Sequence, residues 1–440
     1  MGGFTAVGLR LGGLLVAACD KEQSLRAAYG AHLKELKVEL DNAYHLNFMK
    51  DLANAALRPI DIICAGPPCQ PFSFANTIAS GSVWAMQGGD GLSQITEALH
   101  TRKHKHGVED KALLLENVVG MLGHLTDDML APLRNVRRSP SPPQPIRAAI
   151  THCSHPCTLH ALQQEGFHLK VFQAPATIFG CATTRPRIAI IAFRDAEALA
   201  RFGNGPRPTH TDAGTPLSSV LNSAFNDTNN SPPFLWLRHK TTGGVSYMSE
   251  ASLASSQVVS PATTEVMVVR TKSNAAYSPQ GNGGTWVCVH DDVATQTQRL
   301  SQEQLEEWKG WFASNPEREP IYRQLHPTEE MRAMSWRDDE MPPIVKGCLN
   351  RASSSSAYAA ISECLCPSQF EPFAARMLWA MGKELPLGKV VPDEALPIHF
   401  ETKRHEKSGL QYIQLHGLQR LAPALPVPPL QNASTTRHFV

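Results

Sequence analysis

Three short, mostly apolar runs constrain this chain more than any other feature of it. They are Ile60–Ala65, Ala112–Leu115 and Arg187–Phe193. A strand covered on one face alternates apolar and polar residues, whereas a continuous run suits a strand buried on both faces. That points to a doubly wound α/β sheet with helices on either side. The intervening segments agree. Lys21–Leu33 reads as a helix with Leu25, Ala28, Tyr29 and Leu33 on one side, and Thr158–Glu165 as a helix closed by Gly166. Phe167–Gln173 follows as a strand, and Leu14–Cys19 is a further short strand candidate.

Composition narrows the class. The 440 residues are 42% hydrophobic and 18% charged, with a mean hydropathy of −0.23. These are globular values that exclude wholesale disorder and collagen-like repetition. No apolar run approaches the roughly eighteen residues of a membrane span, so no membrane association is expected. Forty-one Lys and Arg against forty Asp and Glu leave a net charge of +1. A uniformly basic nucleic-acid coat is thereby excluded, but a local basic cleft is not. Ten cysteines are too sparse for a disulfide framework, and none has zinc-ribbon spacing. The expectation is a reducing, intracellular compartment and no metal. Arg10, Leu11–Ala18 and Cys19 imitate a lipoprotein signal, but the apolar stretch is short and carries two glycines.

The texture divides the chain into a catalytic segment 1–205, a Ser/Thr/Asn/Gly-rich domain over 206–320, a return over 321–385, and a partly disordered extension over 386–440. Strand candidates in the second segment are Val266–Val269 and Trp286–His290; helices return at Glu329–Met334 and Phe370–Met381. Arg137–Pro145 is a proline-rich exposed insert.

The chemistry concentrates where strands end. Ile60–Ala65 runs into Gly66-Pro67-Pro68-Cys69-Gln70, which presents a cysteine at the carboxyl edge of the sheet, where open α/β sheets bind ligands. Alone, a buried structural thiol is as good a reading. Forty-seven residues on, Glu116-Asn117-Val118 closes a second apolar strand, and Arg185-Pro186-Arg187 opens a third. Cysteine, carboxylate and paired arginines at one edge make a nucleophile, an acid and a clamp for an anion or carbonyl. The spacing of His152-Cys153-x-His155-x-Cys157 fits no standard zinc knuckle, and Lys103–His106 reads as a solvated basic run.

In this order the motifs resemble those of the cytosine-5 DNA methyltransferases, which carry a Pro-Cys-Gln loop, a Glu-Asn-Val strand end and a Gln-x-Arg-x-Arg element. The resemblance spans Gly2 to about Met381. It implies a Rossmann-like methyltransferase sheet, a small inserted target-recognition domain over 206–320, and S-adenosylmethionine as cofactor. Gly2, Gly3 and Phe4 resemble the end of the first cofactor loop. Asp20 stands where the family binds the ribose, Asp51 where it contacts adenine, and Pro68 and Asn117 flank the cofactor. Leu325–Trp336 resembles the element that follows the recognition domain.

The implied mechanism gives each residue a task. The Cys69 thiolate adds to C6 of a flipped cytosine and makes C5 nucleophilic. Glu116 holds the N3 side of the ring, while Arg185 and Arg187 bind the base carbonyl and the nucleophile loop. The chain departs from the pattern at Thr183, where the family has Gln, at Ala182, where it has Pro, and near Cys364, where its Gly-Asn-x-Val has no clean match. The family's first strand and Phe-x-Gly have no counterpart before Gly2, so weak cofactor binding and reduced stability are expected. The implied partner is DNA and the implied state a monomer, in the nucleus of a eukaryote or the cytoplasm of a bacterium. Two other readings stay open: a transfer-RNA cytosine-5 methyltransferase, and a silent nucleic-acid-binding remnant.

Overall fold

The computed structural model describes residues 3–13, 15, 16, 18, 23–36, 58–67, 91–125, 158–222, 237–238, 245–246, 257–259, 285–288, 322–347, 361, 364–385 and 400–418. The helices are α1 (Gly3–Arg10), α2 (Gln23–Glu35), α3 (Gly91–His106), α4 (Thr158–Gln164), α5 (Ala196–Phe202), α6 (Pro327–Ala333), α7 (Pro343–Lys346) and α8 (Pro367–Ala380). The main strands are β1 (Ile62–Ala65), β2 (Ala112–Val118), β3 (His168–Ala174) and β4 (Arg187–Phe193). Short strands follow: β5 (Leu237–Arg238), β6 (Val245–Ser246), β7 (Gln257–Val259), β8 (Thr285–Cys288) and β9 (Tyr322–Gln324). A hairpin of β10 (Phe400–Arg404) and β11 (Gln411–Leu415) ends the described chain.

The main sheet has the order β1-β2-β4-β3-β11-β10. β1 runs parallel to β2, and β4 runs antiparallel to both β2 and β3. β11 joins β3 in parallel through Ile413 and Gln414. Successive residues on a strand face opposite sides, and the two cores show it. Ala112, Leu114, Ala189, Ile191 and Phe193 pack with Val7 of α1 and Leu11 just after it, Phe202 of α5, and Phe370, Phe373 and Met377 of α8. Leu113, Leu115, Ile188 and Ile190 pack instead with Ile95 and Leu99 of α3 and Leu159 and Leu162 of α4. Both sheet faces are therefore covered, which is why these strands carry continuous apolar runs.

Several expectations change. Among the described residues of Leu14–Cys19 there is no strand. Gly3 and Phe4 open a helix rather than closing a loop, because Phe4, Val7 and Leu11 recur at helical spacing and pack on the α8 layer. Arg10, at the end of α1, fixes that docking: its guanidinium donates to Glu340 at 2.8 Å, to the Ser335 carbonyl at 2.8 Å and to Glu371 at 3.2 Å. Residues 206–222 pack against the main body. The Thr209 amide bonds the Ile178 carbonyl and Leu217 is wholly buried. Strand Val266–Val269 lies outside the described residues, as does the Arg137–Pro145 insert, and Trp286–His290 is realised as Thr285–Cys288. Gly166, at φ +89°, closes α4 as expected.

Candidate active site

The site lies at the carboxyl edge of β1 and β2 and the beginning of β4. In the β2–β4 ladder Glu116 faces Ala189 and Val118 faces Arg187. Glu116 and Arg187 are thus diagonal neighbours on one face, within reach of long side chains. Arg187 Nε donates to Glu116 Oε1 at 2.7 Å, and the side chains are 10% and 15% exposed. The pair is largely, but not wholly, removed from solvent. Glu116 Oε2 lies 3.2 Å from where a Cβ on Gly66 would stand, so the glycine leaves room for the carboxylate. The Arg187 Nη1 also donates to the Pro186 carbonyl at 2.9 Å.

Asn117 works on the opposite side of β2. Its Nδ2 donates to the Pro67 carbonyl at 3.1 Å, and its Oδ1 accepts from the Val118 amide at 2.8 Å. Buried to 1% exposure, it pegs the end of β2 to the turn that leads to Cys69 two residues later. Cys69 itself lies outside the described residues, with Pro68, Gly2, Asp20 and Asp51. The described thiol on that strand, Cys64, is a poor nucleophile because burial pushes it up to about 12.

Arg185 is placed differently from its partner. It is 4% exposed, and its Nη2 donates to the Cys364 carbonyl at 2.6 Å. Burial, and then the charge of Arg187, lower its pKa. Gln369 of α8 supports the same region by donating to the Ala174 carbonyl at 2.8 Å. Arg185 therefore ties the β3–β4 connection to residues 364–366, which form the back wall of the site. Behind it lies a buried thiol pair that sequence reasoning did not find. Its hydrogen bond to Cys366 and its burial push the Cys181 thiol up. Gly3 abuts the Leu365 side chain in the same wall, and Phe4 meets Phe370 edge-on with centroids 5.7 Å apart. The departures at Ala182 and Thr183 are fully buried, and the Ala182 amide bonds the Ala333 carbonyl of α6 at 2.9 Å. His152–Cys157 lie outside the described residues.

A mixed sheet with helices on both faces and an acid–arginine pair at its carboxyl edge has a Rossmann-like architecture. The family model for C-5 cytosine-specific DNA methylase matches residues 1–136, which include Cys69, Glu116 and Asn117 but not the two arginines. S-adenosylmethionine is the methyl donor of that family. Among solved structures, the chain resembles the Entamoeba histolytica methyltransferase EhMeth, with a TM-score of 0.54 and 12% identity over 87% of this chain and 96% of that one. It also resembles the S. pombe Dnmt2 methyltransferase, with a TM-score of 0.51 and 12% identity over 86% of this chain and 96% of that one. At these identities the likeness is one of fold. No curated protein matches the chain in sequence. Among the described residues, no helix is long and apolar enough to cross a membrane.

Proposed function

We propose that this chain transfers a methyl group from S-adenosylmethionine to C5 of cytosine in DNA, through a covalent Cys69 adduct on a flipped base. The observation that carries this reading is the Glu116–Arg187 pair at 2.7 Å, beside a Gly66-Pro67 turn that Asn117 holds in place. The description of the matched family model favours DNA over RNA.

The residues divide the work as follows. The Cys69 thiolate forms a bond to C6, and the displaced ring electrons accumulate toward N3 and C5. Glu116 faces N3 and shares a proton there, while Arg187 steadies the carboxylate and the base carbonyl. Once C5 has gained its methyl group, its proton leaves and the C6–S bond breaks, returning the thiolate. Arg185 is a positioning residue in this scheme, since its buried guanidinium donates from Nη2 to the Cys364 carbonyl of the back wall. S-adenosylmethionine, when bound, supplies an electrophilic methyl group. Gly2, Asp20, Asp51 and Pro68 would hold it, with Gly3 and Phe4 at the start of α1 beside them. The described part of that set fits a flat apolar ring better than a charge: Phe4 is half-buried on Phe370, and the Asn117 amide is committed to Pro67.

The test is methyl transfer from labelled S-adenosylmethionine to duplex DNA and, in parallel, to transfer RNA. Incorporation into DNA that Cys69→Ala abolishes, with DNA affinity retained, supports the reading. Incorporation into transfer RNA alone would transfer the same chemistry to the other substrate. DNA binding with no transfer to either substrate would mark a silent remnant.

A further inference from the structure

We propose a transition-metal site, of the kind that takes zinc, formed by His100, His104 and Glu165 at the amino edge of the sheet. As sequence, residues 100–106 are a mixed basic run. Helix α3 sorts it, because residues four apart share a face. His100 and His104 stand one turn apart there, with ring centroids 4.3 Å from each other. Glu165, the residue after α4, reaches between them. Its Oε1 is 2.7 Å from His100 Nδ1, and its Oε2 is 3.6 Å from His104 Nε2. One donor atom from each of the three residues falls within 4.8 Å of the others.

The geometry suits a tetrahedral ion. Metal–ligand bonds of about 2.1 Å place neighbouring ligands about 3.4 Å apart, and the two measured separations, one to each oxygen of Glu165, lie on either side of that value. Two imidazoles and one carboxylate favour zinc or a similar ion over calcium or magnesium, which take oxygen ligands. The carboxylate supplies a second, independent observation. Glu165 is 8% exposed, and its Oε2 is shielded from solvent with no hydrogen-bond partner. A buried carboxylate oxygen left without a hydrogen bond is costly, and a cation between it and the rings removes that cost. The two imidazoles are more than half exposed, which leaves a route for the ion and a fourth position for water.

The neighbouring cations act on a different part of Glu165. Lys103 Nζ and Arg194 Nη1 both donate to its backbone carbonyl, and Lys103 also faces Glu109 at 3.5 Å. They weaken the site without occupying the carboxylate. The bound ion would join α3, which leads into β2 and Glu116, to the α4–β3 turn. It would clamp the layer behind the active site without entering the chemistry.

The test uses the full chain, stripped with a chelator and dialysed, and titrated with Zn2+ by calorimetry and with Co2+ by visible absorption. One equivalent should bind, with cobalt bands of tetrahedral intensity and a rise in melting temperature. His104→Ala and the milder Glu165→Gln should each weaken binding at least tenfold, with the circular dichroism unchanged. Cys153→Ser/Cys157→Ser should leave it intact, which separates this site from the His152–Cys157 segment. Absence of binding at millimolar zinc, or binding that survives both His104→Ala and Glu165→Gln, would overturn the proposal. None of these readouts depends on methyl transfer.

Discussion

The two edges of the main sheet each hold an arginine–carboxylate pair, and the two pairs are built differently. At the amino edge, Arg102 and Asp110 are 1% and 0% exposed and form a double hydrogen bond at 2.7 and 2.8 Å. Both groups make further hydrogen bonds. Arg102 Nη2 also donates to the Arg58 carbonyl at 2.8 Å, and Asp110 Oδ1 accepts from the Ile60 amide at 3.0 Å. This pair stitches the approach to β1 onto the approach to β2. At the carboxyl edge, among the described residues, Arg187 Nε meets Glu116 Oε1 at 2.7 Å and the side chains keep 10% and 15% exposure, with Glu116 Oε2 near Gly66. A saturated buried pair holds a fold, whereas a partly open one can exchange a partner for substrate. On the proposed function, the differences in saturation and in burial together distinguish a structural ion pair from a chemical one.

The comparison can be broken by mutation. Glu116→Gln should lower methyl transfer by roughly 10²- to 10⁴-fold, the usual loss of a general acid or base, with little change in melting temperature. Asp110→Ala should do the reverse. Removing one partner of a buried pair costs about 3–5 kcal/mol of stability, read by chemical denaturation, while turnover per folded molecule stays near that of the parent. If Asp110→Ala depressed turnover per folded molecule as strongly as Glu116→Gln, the division between the edges would fail. Asn117→Ala probes how the carboxyl edge holds the turn before Cys69. It removes two side-chain hydrogen bonds, to the Pro67 carbonyl and from the Val118 amide, each worth about 1–3 kcal/mol when a buried partner is left unsatisfied. It should slow adduct formation more than it weakens DNA binding, because the turn before Cys69 and the end of β2 lose their shared anchor.

The smallest effect concerns an ion pair of intermediate character, Arg10–Glu340, at 3% and 10% exposure. Burial alone would raise the Glu340 carboxyl, but hydrogen bonds from Arg10 outweigh it and hold the group below the ordinary carboxylate value. A depressed folded-state pKa contributes stability that is present above the unfolded value of about 4.5 and is lost as pH falls through the folded one. Melting temperatures between pH 6 and pH 3 should therefore fall less steeply for Glu340→Gln than for the parent. Equal slopes would show that Arg10 docks α1 without help from this charge.

How much of this was legible depended on the range of the contacts. Arg187–Phe193 is one strand in sequence and in structure, because both of its faces are buried and the apolar run says so. Ala112–Leu115 is the start of a longer strand. Pairing with β4 continues as far as Val118 opposite Arg187, which draws Glu116 and Asn117 into the ladder. Other features depended on contacts far apart in the chain. Arg185 and Cys364 are 179 residues apart, and nothing near either announces the other. The β10–β11 hairpin joins the sheet beyond residue 385 through a two-residue register with β3, too slight a pattern to read from Gln411–Leu415 alone. His100 and His104 are visible as a helical pair, but Glu165 meets them only because α4 ends where it does.

On the proposed function, the carboxyl edge carries cytosine C5 chemistry through Cys69. Duplex DNA in which 5-fluorocytosine replaces cytosine tests it most directly, because the fluorine cannot leave as the C5 proton does and the adduct persists. With S-adenosylmethionine present, the parent chain should form a denaturant-resistant protein–DNA complex whose peptide map places the link at Cys69. The complex should be absent from Cys69→Ala and much reduced in Glu116→Gln. A link at any other residue, or full methyl transfer by Cys69→Ala, would contradict the claim.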